Sequence, residues 1–322
     1  MTGSRQIDNE GILVEPCEQC ANCGAEGRLR HTDLRDPMFG APGTWSIRQC
    51  VNPACGLGWA DPQPLTSEIG KLYADYYTHG SGANDHQSYR SSGAKGIVKK
   101  ILGYLLFWNR PVFHTDLLHL QGKVPGRLLE VGCGSGSFLA AATRAGWSAT
   151  GIDFDEDAIA AARHIKGVDA RTGDLFEQGF AENSFDAIVM NNVIEHLPRP
   201  GAVFEECYRI MTKGGRLVMI TPNIDALGHQ IFGRFWRGLE TPRHLYLFNR
   251  RALKSFGQEA GFRTIYTFSS VGHGMIEASK KIAENAGAPV ENTDPRSLRR
   301  KALLRNILGA SCGEWVVLVA EK

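Results

Sequence analysis

The sequence predicts an α/β protein whose main part is a doubly wound, mostly parallel sheet, preceded by a small cysteine-rich module. Short apolar runs alternate with helical segments from about residue 122 to the C-terminus. Such alternation is typical of a parallel sheet with helices on both faces. Five of the eight cysteines lie between Cys17 and Cys55. The length of 322 residues allows one large domain or two.

Composition narrows the classes of function. Apolar residues make up 43% of the chain, enough for a sizeable core, and the formal net charge is only +2. A balanced charge gives no electrostatic reason to expect nucleic acid or an acidic membrane as partner. The first residues lack the apolar core of a signal peptide, and no stretch is long enough to span a bilayer. We therefore expect a cytoplasmic protein, in which clustered thiols indicate metal before disulfide.

Turn residues and periodicity divide the chain into four parts. The N-terminal part is polar, the next holds the cysteines, and the third combines helical patterns with a Gly- and Ser-rich linker at residues 78–96. The predicted parts are a disordered tail (1–16), a zinc ribbon (17–63), a helical linker or lid (64–121, with helices at Thr66–Tyr77 and Ile97–Leu120), and the α/β domain (122–322, with cap insertions near 223–249 and 272–312).

The elements of the α/β domain follow from apolar runs and their stop signals. Each predicted strand is a short apolar run, and each predicted helix is a longer amphipathic segment. The predicted strands are Arg127–Val131, Ser148–Asp153, Val168–Arg171, Phe185–Met190, Arg216–Thr221, Thr264–Ser269 and Trp315–Ala320. The predicted helices are Ser137–Ala145, Glu156–Ile165, Pro200–Met211 and Arg250–Ala260, with polar helical segments within 272–312.

A glycine loop joins the first strand of this domain to its first helix. In LEVGCGSGSF, Glu130 and the glycines 132, 134 and 136 stand at alternating positions. Glycine backbone lets a flat nucleoside with an amino-acid tail approach the chain closely. The dinucleotide fingerprint needs its third glycine one residue later, where this sequence has Ser137. The Glu130 carboxylate can reach the ammonium of a methionine tail, so the pattern favours a methyl donor over a dinucleotide.

Further candidates for cofactor binding stand at the ends of the next strands. Asp153 ends the second strand and can hold both ribose hydroxyls, although nicotinamide enzymes use a similar residue. Asp174 follows the third strand and can accept from the adenine amino group, while the amide of Leu175 meets a ring nitrogen. Asn191 ends the fourth strand, beside the methionine part of such a cofactor. Single Gly and Asp residues in these loops are common in any open α/β sheet.

Residues 126–221 resemble the class I S-adenosylmethionine-dependent methyltransferases. The resemblance covers ExGxGxG, the acidic end of the second strand, GD, FDAIVMNNVIEHL and GGRLVMITP. It is specific for family and cofactor but not for the methyl acceptor. It implies a seven-stranded sheet whose last strand, GEWVVLVAEK, runs antiparallel.

The cysteines form two paired knuckles, Cys20-Ala-Asn-Cys23 and Cys50-Val-Asn-Pro-Ala-Cys55. Tetrahedral zinc needs four soft ligands from two short turns, and four thiolates leave no open position, which predicts a structural zinc ion. Cys17 is an alternative partner of Cys23. The segment Cys50–Tyr77 resembles the N-terminal ribbon of a methyltransferase subgroup, several members of which act on sugars or polysaccharide precursors. The CxxxxC spacing departs from the commoner CxxC.

Two segments carry candidates for chemistry at the acceptor. His196, after the fourth strand, can act as a general base near neutral pH, or it can orient its own loop. The segment TPRHLYLF, which resembles the same subgroup, supplies His244 as a second base, Arg243 for an anionic substrate group, and Tyr246. Alternatively, this segment packs its loop on the core.

We therefore expect a methyltransferase that uses S-adenosylmethionine and a structural zinc ion. Its expected acceptor is a small molecule, either a sugar or polysaccharide precursor or another hydroxylated metabolite. Two alternatives stay open. One is modification of RNA or protein with the ribbon as recognition module, although residues 190–194 lack the Asn/Asp-Pro-Pro-aromatic motif of base N-methylating enzymes. The other is a regulatory protein that binds the cofactor without turnover.

Overall fold

The N-terminal region contains six strands arranged in two small sheets. The computed structural model describes residues 6–73, 117–272, 274–290 and 294–322. The strands are β1 (Ile7–Asn9), β2 (Ile12–Glu15), β3 (Gly27–Leu34), β4 (Trp45–Cys50), β5 (Gly58–Asp61) and β6 (Gln63–Pro64). One antiparallel sheet has the order β1-β2-β6, and β3, β4 and β5 belong to the other.

The expected disorder of residues 1–16 is wrong for the part that the structure describes. Residues 7–15 form the hairpin of β1 and β2. The reason is burial, since Ile12 and Val14 are almost fully enclosed in an apolar cluster with Trp45. The composition of this segment is polar, but its apolar residues alternate along β2, as on a half-buried strand.

The predicted linker at 64–121 is described only at its two ends. A 3-10 helix covers Thr66–Tyr73 of the helix predicted at Thr66–Tyr77. The Gly- and Ser-rich linker and residues 97–116 of the second predicted helix lie outside the described residues. Where that helix was expected to continue to Leu120, the structure has a turn at residues 117–119.

The C-terminal region contains a seven-stranded mixed sheet, as predicted. Its strands and the short strand β12 are β7 (Arg127–Val131), β8 (Ser148–Asp153), β9 (Val168–Thr172), β10 (Phe185–Asn191), β11 (Met211–Pro222), β12 (Tyr246–Leu247), β13 (Thr264–Ser270) and β14 (Trp315–Glu321). The order is β13-β14-β11-β10-β7-β8-β9. The last strand, β14, is antiparallel to both of its neighbours. Near-continuous apolar runs such as Leu217–Ile220 suit a sheet that is buried on both faces.

Seven α-helices accompany these strands within the described residues. They are α1 (Ser137–Arg144), α2 (Glu156–Arg163), α3 (Pro200–Ile210), α4 (Leu227–Phe232), α5 (Arg250–Glu259), α6 (Met275–Asn285) and α7 (Pro295–Ile307). Local sequence fixes several starts: Asp155 caps α2 through the amides of Asp157 and Ala158, and Asn249 caps α5. In the described part of the chain, every helix is too short or too polar to cross a membrane.

The N-terminal region and the main sheet share one hydrophobic core. Strand β12 pairs with β5, so the second small sheet has the order β12-β5-β4-β3. Trp59 of β5 is fully buried in the same cluster as Phe248 and the sheet residues Met190 and Leu318. Burying a Trp side chain contributes about 4 to 6 kcal/mol of transfer free energy. The cysteine-rich module is therefore packed into the core of the α/β domain, on the side of segment 223–249.

Candidate cofactor and acceptor site

The glycine loop lies at the carboxyl end of β7, with backbone conformations that require glycine. Gly132 has φ 72°, and a Cβ there would lie 2.3 Å from the Val193 side chain. Gly134 has φ 49°, but a Cβ at that position would meet no atom within 4 Å. The third glycine, Gly136, immediately precedes α1. Space above Gly134 thus remains open at the edge of a parallel sheet where ligands bind in this class of fold.

Two acidic side chains face this loop. Glu130 is buried at the end of β7, and its Oε2 has no hydrogen-bond partner among the described residues. Burial, together with the charge of Asp153, raises its pKa well above the usual 4.5. Asp153 accepts from the amides of Gly134 (2.8 Å) and Asp155 (3.0 Å). Burial also raises the pKa of Asp153. An orphaned, buried carboxyl beside an open loop fits an incoming ammonium group.

The remaining predicted cofactor residues, Asn191, Asp174 and Leu175, differ in how deeply they are buried. Asn191 is half-buried at the end of β10, next to the glycine loop's strand. Asp174 is exposed, and its Oδ1 accepts from the amides of Phe176 and Glu177. Leu175 is 2% exposed and belongs to the core. The Asp174 carboxylate therefore organises its own turn, in addition to any contact with a ligand.

His196 lies in a short 3-10 helix after β10 and is anchored through one ring nitrogen. Its Nδ1 lies 3.0 Å from the carbonyl of Arg243 and 2.8 Å from the hydroxyl of Tyr73. A carbonyl can only accept, so this contact is satisfied when Nδ1 carries the proton. In a neutral ring, Nε2 then carries the lone pair. Burial lowers the pKa of His196 below its usual 6.5, so the ring is neutral at pH 7.

His244 packs edge-on against His196, with ring centroids 4.7 Å apart. Its Nδ1 contacts the carbonyl of Gly238 at 2.9 Å, and its Nε2 lies 3.5 Å from the carboxylate of Glu240. The ring is 3% exposed, and burial lowers its pKa to about 3. The structure therefore brings both predicted histidines together, but His244 is more deeply enclosed, whereas His196 is partly exposed.

The structure buries the side chains of Arg243 and Tyr246, which the sequence analysis predicted to contact the substrate. The Arg243 side chain is fully buried, and its Nη1 donates to Asp36 (2.8 Å) and to the carbonyl of Leu72 (3.3 Å). Tyr246 is 4% exposed, lies in β12, and donates to the carbonyl of Pro198 (3.3 Å). Neither side chain presents surface to an acceptor. Both instead join the segment after β11 to other parts of the fold.

Three residues at this site escaped the sequence analysis. Tyr73 contacts His196, and its ring packs edge-on against Phe154, 5.5 Å between centroids. Phe154 follows Asp153 and is 60% exposed. Glu195 is completely buried, and burial raises its pKa to about 8. The aromatic residue directly after Asp153 was a usable signal, but nothing local marks Tyr73, which is 123 residues from its partner.

The four predicted cysteine ligands come together at the start of the module. One sulfur from each of Cys20, Cys23, Cys50 and Cys55 lies within 4.8 Å of the others. The Sγ atoms of Cys20 and Cys55 are 3.7 Å apart, and those of Cys23 and Cys50 are 3.4 Å apart. Tetrahedral zinc with Zn–S bonds of about 2.3 Å needs sulfurs slightly less than 4 Å apart. The donor set therefore fits zinc.

Details around the sulfurs support this fit. Gly24 and Gly56, which follow the second cysteine of each knuckle, both have positive φ. The side-chain Nδ2 of Asn22 donates to Cys55 Sγ at 3.1 Å. A hydrogen bond from Cys20 lowers the pKa of Cys55, which favours the thiolate form that a metal site needs. Cys17 is outside the cluster, with its Sγ 3.8 Å from the carbonyl of Gln19.

Comparison with known proteins finds a family and several relatives that are similar to part of this chain. The family described as "Methyltransferase domain" matches residues 109–267. Ubiquinone biosynthesis O-methyltransferase of Pseudomonas entomophila (strain L48) is 33% identical over 114 residues, which are 34% of this chain and 48% of that protein. A probable S-adenosylmethionine-dependent methyltransferase of Mycolicibacterium smegmatis is 30% identical over 182 residues, 53% of this chain and 66% of that protein. The chain thus spans about half the length of the first of these relatives.

A solved structure shows the same fold. Phosphoethanolamine N-methyltransferase 2 of Haemonchus contortus, in complex with S-adenosyl-L-methionine, superposes with a TM-score of 0.50 at 16% identity, covering 99% of this chain and 71% of that one. The strand order and the antiparallel last strand are those that the sequence resemblance implies. Residues 109–267 are therefore similar to a methyltransferase domain family, and the chain shares the fold of the phosphoethanolamine N-methyltransferase structure.

Proposed function

We propose that this protein transfers a methyl group from S-adenosylmethionine to a hydroxylated small molecule. The observation that carries the proposal is the setting of His196. A neutral imidazole, held through Nδ1, lies after β10 at the same sheet edge as the glycine loop and Asp153. That arrangement supports a role for His196 as a base beside the glycine loop, where we propose that the methyl donor binds.

The cofactor-binding roles follow the sequence prediction. Glu130 would accept from the ammonium of the methionine tail, and Asp153 from the two ribose hydroxyls. The loop Gly132–Gly136 supplies close backbone approach, Asp174 and the Leu175 amide would meet the adenine, and Asn191 the methionine part. When bound, the cofactor supplies an electrophilic methyl group on a sulfonium.

His196 is the better of the two candidate bases. Its Nε2 carries the lone pair in the neutral ring, and the side chain is partly exposed. His244 is enclosed, with Nε2 directed at the Glu240 carboxylate. We therefore assign proton removal from the acceptor hydroxyl to His196, and packing of the His196 ring to His244. A general base contributes about 10²–10⁴-fold in rate.

The acceptor class rests on two supports. The Pseudomonas entomophila relative is named for O-methylation in ubiquinone biosynthesis, and the N-terminal ribbon resembles that of enzymes acting on sugars or polysaccharide precursors. A hydroxyl group loses its proton when its oxygen is methylated, and a neutral imidazole can accept that proton. The alternative is a ribbon that recognises RNA or protein. It is less well supported, because β12 covers one edge of the ribbon's sheet and most of the cysteine sulfurs are buried.

We further propose one structural zinc ion held by Cys20, Cys23, Cys50 and Cys55. Four thiolates would complete its coordination, so its contribution is to hold the two knuckles rather than to react. The reduced thiols that such a site requires are typical of the cytoplasm, and we propose that location for the protein.

The test is methyl transfer from S-adenosylmethionine to a panel of phenols, catechols and sugar derivatives, read as the demethylated cofactor. With the best acceptor, His196→Ala should lose about 10²–10⁴-fold in rate while retaining cofactor binding. His164→Ala removes an exposed imidazole from the end of α2 and is the matched control. Equal rates for wild type and His196→Ala would refute the base. Cofactor binding without turnover on any acceptor would favour the regulatory alternative.

A further inference from the structure

A buried ion pair connects the N-terminal module to the segment after β11. The side chains of Asp36 and Arg243 both have no exposed surface, and Asp36 Oδ2 accepts from Arg243 Nη1 at 2.8 Å. The two residues are 207 positions apart. The guanidinium also lies over the ring of Phe39, 4.5 Å from its centroid. The planar guanidinium is thus held by Asp36 at its edge and by Phe39 at its face, and these two contacts restrict its orientation.

Asp36 is itself rigidly placed. Its Oδ1 accepts from the amides of Met38 (2.9 Å) and Phe39 (3.2 Å), and its Oδ2 also accepts from the amide of Ala41 (3.0 Å). The neighbouring Arg243 charge lowers its pKa in spite of burial, which alone would raise it. The carboxylate is therefore a fixed reference point for the arginine.

The backbone of Arg243 connects this ion pair to the proposed base, His196. Its carbonyl is the acceptor that lies 3.0 Å from His196 Nδ1. Its Nη1 also reaches the carbonyl of Leu72, whose neighbour Tyr73 contacts the same Nδ1 through its hydroxyl. One partner of Nδ1 therefore belongs to Arg243 itself, and the other belongs to the residue next to Leu72, whose carbonyl the guanidinium binds. The tautomer and the angle of the His196 ring depend on where these two oxygens lie.

We propose that Asp36 is a positioning residue for His196 and acts through Arg243. This inference rests on the proposed function, because it assigns a role in setting the base of that reaction. Asp36 touches neither cofactor nor acceptor. What it supplies is a fixed Arg243 carbonyl, so that the His196 proton stays on Nδ1 and the lone pair on Nε2.

The experiment compares the imidazole nitrogen signals of His196 by ¹⁵N NMR in wild type and in Asp36→Asn, both saturated with the demethylated cofactor. A His196→Ala spectrum identifies the signals. We expect one neutral tautomer, protonated at Nδ1, in the wild type, and a mixture of tautomers in Asp36→Asn. With a working acceptor, kcat should fall about 10²-fold, as expected for a misplaced catalytic group, with KM little changed.

Two further variants keep the test decisive. Asp36→Asn leaves the buried Arg243 guanidinium without its charged partner, and this variant can fail to fold. The double variant Asp36→Asn/Arg243→Met removes both charges and is therefore measured as well. It should show the same mixture of His196 tautomers. Glu10→Gln breaks an exposed ion pair with Arg35 in the same module and should leave the His196 signals unchanged. A folded Asp36 variant with the wild-type His196 signature would overturn the proposal, even if its melting temperature falls. If His196→Ala retains full activity, the base assignment fails, and the NMR comparison still decides whether Asp36 sets the ring.

Discussion

Two regions of this domain are built in different ways: the proposed cofactor edge, formed by the glycine loop and Asp153, and the proposed acceptor side, around His196. At the cofactor edge, the contact from Gly134 to Asp153 joins residues 19 positions apart, and the loop, strand and helix that form it are continuous in sequence. On the acceptor side, Tyr73 reaches His196 across 123 positions and Asp36 reaches Arg243 across 207. Local sequence therefore specifies the cofactor edge, whereas the acceptor side exists only when the N-terminal module is folded against the sheet.

The largest expected effect follows from removing the proposed metal. Cys50→Ser/Cys55→Ser should abolish zinc binding and unfold the module, since structural zinc binding is worth on the order of 10 kcal/mol. The trio of Cys50, Cys55 and Trp59 shares a core with the sheet, so the loss should extend to the acceptor side. Metal analysis and thermal unfolding measure this.

Cys17→Ser is the matched control for the zinc prediction, because Cys17 lies outside the cluster. It should retain one zinc per chain and the wild-type melting temperature. Undiminished zinc in the double variant, or loss of zinc in Cys17→Ser, would show that the ligand set is wrong.

The next effect comes from the ion pair that joins the two regions. Arg243→Ala leaves the buried carboxylate of Asp36 without its guanidinium partner. Glu240 loses one of its two guanidinium partners and keeps Arg237. Breaking a buried pair in this way costs about 3–5 kcal/mol, which urea unfolding would register as a lower midpoint. Arg35→Ala, which breaks an exposed pair with Glu10, should change the midpoint little. A similar midpoint for both variants would contradict the account of Arg243.

A pair of histidines forms a second contact between the N-terminal module and the cap segment, and its contribution to folding stability depends on pH. His31 of β3 and His229 of α4 face each other through Nε2 atoms 2.8 Å apart, and His229 Nδ1 contacts the Ile224 carbonyl at 2.7 Å. Burial lowers the pKa of each to about 4. Since the folded-state pKa lies below the usual 6.5, folding excludes a proton, and stability should be full above pH 6.5 and fall as pH drops toward 4.

The size of this effect is modest. One pKa unit corresponds to about 1.4 kcal/mol, so His229 accounts for at most about 3 kcal/mol, and the half-exposed His31 for less. Urea midpoints of wild type and His229→Gln between pH 7.5 and 4 give the difference. The wild type should lose stability more steeply than the variant over this range. Parallel curves would show that the pair does not exclude protons on folding.

Prediction from sequence succeeded where the spacing of apolar residues and the residue types in a loop determine the local structure. The seven strands, the antiparallel β14 and the four-sulfur cluster agree with the structure because each follows from a pattern within a few residues or from the resemblance. It failed for residues 7–15, where burial of Ile12 and Val14 outweighs a polar composition. It also misjudged Arg243, since a charged residue near a pocket suggests a ligand, and only the fold reveals Asp36 as its partner.

The most direct test of the account is whether the cofactor edge binds S-adenosylmethionine through Asp153. Titration calorimetry should show binding of S-adenosylmethionine and its demethylated product in preference to NAD. Asp153→Ala removes the paired ribose contacts and frees the Gly134 amide, and should weaken binding by about 1–3 kcal/mol. Asp157→Ala, an exposed acidic residue on α2, should bind as wild type. Unchanged affinity in Asp153→Ala, or preferential binding of NAD, would contradict the assignment of the cofactor.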